Sequence, residues 1–275
     1  MEGYKIKKNL NNNVVIAQKG SEELILIGKG IGFDFGKNGT IPEERVENVF
    51  AKQTAEIGEN YQKVLQNIDS KIVGISEEII NYAETELKVK LNEAAHISLP
   101  DHISFALKRL QKGVNIENPF INELNALYPG EYKISVKAVE LINERFNTNL
   151  PEDEAGFICL HIRAALTEKN VSDSLAYTKK ISQIMDLIEK LTGKRLEKNS
   201  LAYIRTVTHI NFMIERVENN KTIKNYLIDS IKKELFTEYS IGIKIAMKIE
   251  DLFSLNVPDD EIGYIALHIK RLVEQ

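Results

Sequence analysis

Apolar positions alternate with polar ones, or run together in short blocks, over the first 33 residues of the chain. Tyr4–Leu10 alternates weakly, Asn11-Asn12-Asn13 has the composition of a turn, and Val14-Val15-Ile16-Ala17 is an apolar run of strand length. Lys19-Gly20-Ser21 turns the chain again before Leu24-Ile25-Leu26-Ile27. Glycine then takes every second position at the start of Gly28-Lys29-Gly30-Ile31-Gly32-Phe33. The pattern predicts three or four short strands. So small a sheet cannot close a core alone, and a partner sheet from a second copy is expected to complete it.

After Gly39 the period lengthens from two to that of a helix. Pro42-Glu-Glu-Arg-Val-Glu-Asn-Val-Phe50 predicts a short helix leading into a linker near residues 53–60. Ser76, followed by Glu77 and Glu78, predicts a helix start, with Ile79, Ile80, Ala83 and Leu87 on one face. Pro100-Asp101 is expected to open another helix. It carries Ile103, Ala106, Leu107 and Leu110 at i, i+3, i+4 and i+7 and stops at Gly113. Pro151 with Glu152, Asp153 and Glu154 marks a further start, with acids where the helix dipole favours them.

Two stretches recur at one gap-free offset. Asp101-His-Ile-Ser-Phe-Ala-Leu-Lys-Arg109 returns 107 residues later as Thr208-His-Ile-Asn-Phe-Met-Ile-Glu-Arg216. Pro151-Glu-Asp-Glu-Ala-Gly-Phe-Ile-Cys-Leu-His-Ile-Arg163 returns at the same offset as Pro258-Asp-Asp-Glu-Ile-Gly-Tyr-Ile-Ala-Leu-His-Ile-Lys270, identical at 8 of 13 positions. Unrelated segments would share roughly one, so the chain contains a duplication. The repeat places equivalent helices at 208–219 and 258–273. The expected fold is multidomain: a small all-β N-terminal module over 1–58, then two homologous all-α helical bundles over 62–170 and 173–275.

Composition narrows the class. The 275 residues are 43% hydrophobic and 28% charged, as in an ordinary globular protein. No apolar run approaches a membrane span, so no membrane insertion is expected. Met-Glu-Gly-Tyr-Lys at the N-terminus has no signal-peptide core, and the single cysteine, Cys159, cannot form an internal disulfide. Both point to a cytoplasmic protein. Cys159 reads as a small core residue, since its repeat partner is Ala266. A net charge of −4 gives no global attraction to nucleic acid. Residues 1–40 hold Lys5, Lys7, Lys8, Lys19, Lys29 and Lys37 against Glu2, Glu22, Glu23 and Asp34, a local excess of +2 that is compatible with a phosphate backbone.

Four of the five histidines fall in the duplication. His102 and His161 are 59 residues apart, and so are His209 and His268. His102 is expected in the first turn of its helix, where free N–H groups favour a neutral ring and a later anion. His161 follows Phe157 by four residues and faces the packed side. If the helices meet, each domain holds two imidazoles near carboxylates. A metal site needs clustered ligands, and no second Cys or His stands beside these. A hydrolase needs an activated nucleophile, and no Ser or Cys elbow is present. Core histidines bonded to backbone carbonyls remain open, as does phosphorylation of neutral imidazoles, which would add roughly −1.5 to −2 charges by analogy with other phosphorylated side chains. Asp101 is expected to orient His102 and to repel an arriving phosphate, whereas Thr208 is expected to donate to one on His209. His96, whose repeat position is Tyr203, reads as a solvent-facing or helix-packing residue.

Asn11-Asn12-Asn13-Val14 and Leu26-Ile-Gly-Lys-Gly-Ile-Gly-Phe33 resemble the RNA-binding module of the BglG/SacY family of transcription antiterminators. The duplicated Asp-His/Thr-His and Pro-x-Asp-Glu-x-Gly-x-Ile-x-Leu-His motifs resemble its two phosphotransferase-system regulation domains, so the resemblance spans essentially the whole chain. Ile27–Phe33 is similar to the glucose-type branch, while Thr208-His209 and the retained His268 are similar to the β-glucoside-type branch, so no sugar follows.

The resemblance implies a regulator rather than an enzyme, without a cofactor. A homodimer of the N-terminal module would bind an mRNA antiterminator hairpin and keep a terminator from forming. HPr and a sugar-specific enzyme II would phosphorylate His102, His161, His209 and His268. Lys8, Asn11, Asn13, Gly28, Lys29, Gly30 and Phe33 would contact RNA: asparagine by reading base edges, glycine by close approach, lysine on phosphate, Phe33 by stacking. Taken without the resemblance, the asparagines read as a turn, the glycines as a bulge or loop, and Phe33 as a core aromatic. A second reading also stays open, a histidine-phosphorylated interaction regulator with no RNA role.

Overall fold

The computed structural model describes residues 3–10, 12, 14–28, 30–36, 39–51, 67–221 and 223–274. The N-terminal part is an antiparallel sheet of β1 (Tyr4–Asn9), β2 (Val14–Lys19), β3 (Glu22–Ile27), β4 (Thr40–Ile41) and β5 (Asn48–Ala51), in the order β4-β1-β2-β3-β5. A one-turn helix, α1 (Ile31–Asp34), follows β3. β2 and β3 pair from Val14↔Ile27 to Lys19↔Glu22. Both strands are buried on both faces, which is why they read as apolar runs rather than alternating ones. On one face Tyr4, Ile6, Val15, Ala17, Leu24 and Leu26 pack with Ile31 and Ile41. The other carries Leu10, Val14, Ile16, Ile25 and Ile27.

Within the chain the second face is covered by helix residues. Val73, fully buried, closes it from helix α2 (Ser70–Leu87), with Ile68 and Ile97 alongside. Pro42–Phe50 is not a helix. Only Glu43–Arg45 makes a 3-10 turn, and β5 pairs with β3, Leu26↔Val49. A strand edge with apolar partners outweighed the weak helical preference of Val46 and Val49. The linker expected at 53–60 lies outside the described residues.

The helices that follow are α3 (Ala95–Gln111), α4 (Ile121–Leu127), α5 (Pro129–Phe146), α6 (Asp153–Thr167), α7 (Val171–Thr192), α8 (Leu201–Glu218), α9 (Ile228–Glu234), α10 (Phe236–Phe253) and α11 (Asp259–Val273). Helices α4 and α5 map onto α9 and α10 at the 107-residue offset without a change of boundary. Three starts lie earlier than the sequence suggests. Helix α2 begins at the Asp69 cap, whose side chain accepts from Lys71 N–H at 2.7 Å. Ser76 lies inside it and donates to the Ile72 carbonyl. Helix α3 begins at Ala95 and carries Pro100 internally, and α8 begins at the Ser200 cap rather than at 208. Capping polar residues occur inside helices as well as at their ends, and here the buried ones misled.

The chain divides into two compact units, 1–119 with 130–171, and 120–129 with 172–275. The sheet module therefore packs with the first helical repeat, and α4 packs with the second. Glu123 on α4 is fully buried and accepts from the Tyr203 hydroxyl at 2.7 Å and the Ser182 hydroxyl at 3.2 Å. Leu124 is fully buried, and Ala126 joins the core of α7, α8, α10 and α11. These packing units differ from the segments 1–58, 62–170 and 173–275.

Candidate functional site

Helices α3 and α6 bring His102 and His161 together, with ring centroids 4.6 Å apart and 36° between planes. Helices α8 and α11 do the same for His209 and His268, at 4.3 Å and 32°. Residues 59 apart thus become stacked neighbours twice over. His102 is not in a first turn, since α3 begins seven residues before it, so the dipole argument does not apply.

Burial sets the charge state instead. It lowers the pKa of His161 to about 3, with His102 adding to the effect. His209 falls to about 4 through burial and then Arg216, and His268 to about 4 through burial, His209, Arg271 and Arg205. All three rings are neutral near pH 7, so each keeps one unprotonated ring nitrogen. The Nδ1 of His161 and the Nε2 of His209 are buried without a hydrogen-bond partner. A cavity beside His161, lined by Ile79, Ile80, Leu91, Ala95, Leu99 and Ile162, is about 10 Å³ and so has room for no more than one water. It cannot hold a small-molecule substrate.

The carboxylate near each pair comes from the first turn of α6 or α11. Glu154 Oε1 lies 2.5 Å from His102 Nε2, but too poorly aligned for a hydrogen bond. Its other oxygen accepts from Arg109 at 3.2 Å. In the second site Arg216 takes both oxygens of Glu261, at 3.0 and 2.9 Å. The two repeats therefore differ in how tightly arginine occupies the glutamate. Asp101 is exposed, and Thr208 donates to the Ile204 and Ala126 carbonyls at 2.8 and 3.4 Å. Phe157 and Tyr264 flank the pairs, 6.1 Å from His102 and 5.9 Å from His209. Arg109, Arg216, Glu261 and Tyr264 stand in the duplicated motifs with no role of their own in the sequence, and Glu154 and Phe157 stand there only as a helix-start acid and a neighbour of His161. Their signal was identity, or near identity, at the 107-residue offset.

His96 packs between helices. Its Nδ1 is 2.7 Å from Glu77 Oε2, and both side chains are buried. Cys159 is buried too, and burial raises its thiol pKa, as befits an inert core residue.

At one end of the sheet Asn9 and Asn12 meet Gly32, beyond β3. Asn9 Nδ2 donates to the Gly32 carbonyl at 2.6 Å, and Gly32 N–H donates to the Asn12 carbonyl at 2.9 Å. Lys8 is exposed on β1, where its register with β2 shifts. Phe33 is 78% exposed, so it is not a core aromatic. Gly28 has a reason within the fold, because a Cβ there would lie 2.3 Å from the Arg45 carbonyl oxygen. Gly30 has another, a left-handed φ of 74° at the start of α1. Asn11, Asn13 and Lys29 lie outside the described residues. Asn9 was missed, although the asparagine-rich run begins with it.

A model of the CAT RNA binding domain matches residues 4–59, and a model of the PRD domain matches twice, over 77–165 and 182–272. The chain belongs to the BglG/SacY family. Transcription antiterminator LicT of Bacillus subtilis (strain 168) is 34% identical over 275 residues, covering 98% of this chain and 99% of that protein. Protein GlcT of Staphylococcus haemolyticus (strain JCSC1435) is 31% identical over 278 residues, covering 100% of this chain and 98% of that one. The crystal structure of GlcT CAT-PRDI is similar at a TM-score of 0.50 and 41% identity, over 60% of this chain and 99% of that chain. Each PRD match contains one complete stacked histidine pair. Among the described residues, no helix is long and apolar enough to cross a membrane.

Proposed function

We propose that this chain is an RNA-binding transcription antiterminator controlled by histidine phosphorylation. A homodimer of the N-terminal module, residues 1–58, holds an mRNA hairpin upstream of sugar-utilisation genes and keeps an overlapping terminator from forming. It acts in the cytoplasm, without a cofactor, as a regulator rather than an enzyme. The regulation domains, 62–170 and 173–275, take phosphoryl groups from proteins of the phosphotransferase system. A sugar-specific enzyme II acts on His102 and His161 and inhibits. HPr acts on His209 and His268 and activates.

The observation that carries this reading is the pair of stacked imidazoles, built twice from elements in the same register. A neutral ring nitrogen can attack the donor's phosphorus. The phosphorus–nitrogen bond to the donor imidazole breaks as the bond to the acceptor forms, so no further reactant is needed. For RNA, the support is an exposed Phe33 next to Gly32, which is bonded to Asn9 and Asn12, a placement that suits stacking on an unpaired base.

Incubation with phosphoenolpyruvate, enzyme I and HPr is expected to put acid-labile label on the second regulation domain. Label on a variant lacking all four paired histidines would sink the reading. With a terminator-linked reporter, His102→Ala is expected to permit read-through without inducer. A gel shift of residues 1–58 on a bulged hairpin tests RNA binding directly. Phe33→Ala is expected to weaken that complex by about 1–3 kcal/mol without unfolding the module.

A further inference from the structure

Each imidazole has two ring nitrogens, and the fold does not treat them alike. Nε2 of His102, Nδ1 of His161 and Nε2 of His209 are buried without a well-formed hydrogen bond. The four paired histidines as whole residues are only half-buried. The inner nitrogen is therefore reversed within the first pair. It is the ε nitrogen on α3 and the δ nitrogen on α6. On α8 it is again the ε nitrogen, as on α3.

A phosphoryl group brings three oxygens and roughly −1.5 to −2 charges. Burying such a charge unpaired is strongly disfavoured, so the acceptor is the nitrogen on the other side of the ring. His161 also borders the apolar cavity of about 10 Å³, which has room for one water and not for a phosphoryl group. His102 has a second reason. Glu154 Oε1 lies 2.5 Å from its Nε2, and a carboxylate so close favours the ring proton on that nitrogen by its charge. Nδ1 then keeps the lone pair. As Nδ1 bonds to phosphorus, the donor nitrogen leaves with the electrons of its own bond. The proton on Nε2 stays, and the positive charge that the ring gains faces Glu154. In the second site Arg216 takes both oxygens of Glu261, so for His209 burial alone selects the nitrogen.

We propose that the two histidines of a pair accept the phosphoryl group on opposite nitrogens: His102 and His209 on Nδ1, His161 on Nε2, and His268 on Nε2 by its register with His161. This rests on the phosphorylation reading above and names the atom within it. A phosphoryl group on Nδ1 is crowded by the ring's own Cβ, so the first histidine of each pair carries the more labile mark.

The test uses four full-length variants, each keeping one paired histidine with Gln at the other three. Phosphorylated enzyme II labels the first domain and phosphorylated HPr the second. The protein is then hydrolysed in alkali, which spares phosphohistidine, and the two isomers are separated by chromatography. His102 and His209 are expected to give the Nδ1 isomer, and His161 and His268 the Nε2 isomer, each in at least about tenfold excess. The same isomer from both members of a pair, or an even mixture from either, would overturn the proposal. The parent chain, with isotopically enriched ring nitrogens, answers the question without substitution. Long-range proton–nitrogen spectra show which nitrogen carries phosphorus, and both linkages are expected. A single linkage throughout would overturn the assignment while leaving phosphorylation itself intact. If the parent takes label from neither donor, the phosphorylation reading fails and the assignment falls with it.

Discussion

Removing an imidazole from water without giving it an acid partner keeps it neutral, and His161, His209 and His268 are in that position. An unfolded chain binds protons at these rings below about pH 6.5, whereas the folded chain binds them only near pH 3 to 4. Between those limits the unfolded state holds more protons, so stability falls as pH falls. We expect the melting temperature to drop from pH 6.5 to pH 5, and to drop less in a variant with all three changed to Gln. An equal drop in both would assign the effect to carboxylates. His96 works in the other direction. Burial opposes its charge, but Glu77, aided by Glu84 and Glu93, outweighs that and raises its pKa. Its contribution is therefore complete below about pH 6.5 and lost as pH rises through the raised value. Thermal melts of His96→Gln against the parent should diverge most at acid pH and converge toward alkaline pH.

At the scale of elements, α4 is the case where sequence order and packing part company. It follows α3 in the first repeat, yet its buried face serves the second unit. Glu123→Ala would strip the Tyr203 hydroxyl of its acceptor in a buried place. We expect a loss of about 1.5–3 kcal/mol, read as faster amide exchange in α8. Unchanged exchange there would mean that α4 is not part of that unit's core. Nothing in Ile121–Leu127 could announce this, because seven residues of helix look the same whichever neighbour they meet. Strands β1 to β3 and the offset of 107 were legible, since both are local patterns of residue type. The starts of α2 and α3 were not, because Ser76 and Pro100 carry boundary chemistry inside helices, whereas α6 and α11 begin where the acidic turns placed them. In the histidine sites the four rings were legible as a set. Their stacking and the Glu154–Arg109 and Glu261–Arg216 pairs depend on which helices cross, and spacing along the chain does not encode that.

For the whole molecule, the sheet face of Leu10, Val14, Ile16, Ile25 and Ile27 is the surface with two claimants. Within the chain, Val73 of α2 covers it, with Ile68 and Ile97. Ile97 sits on the same helix as His102, and His96 beside it ties that helix to Glu77 of α2, so the cover belongs to the first histidine domain. A second copy of the module would need an apolar face of the same kind to bury, because so small a sheet gains little stability from one face alone. One face cannot serve both. If the dimer uses this face, a charge at Val73 should weaken the intramolecular cover and leave the sheet free to pair. Val73→Asp is therefore expected to raise the dimer fraction at a given protein concentration in sedimentation velocity, and to tighten hairpin binding, even though it costs the monomer stability. Ile25→Asp, which spoils the face itself, should instead lower both. A Val73→Asp protein that melts earlier while its dimer fraction and RNA affinity stay at the parent's values would show that the dimer uses a different surface. The α2 contact would then be structural packing and not a competitor.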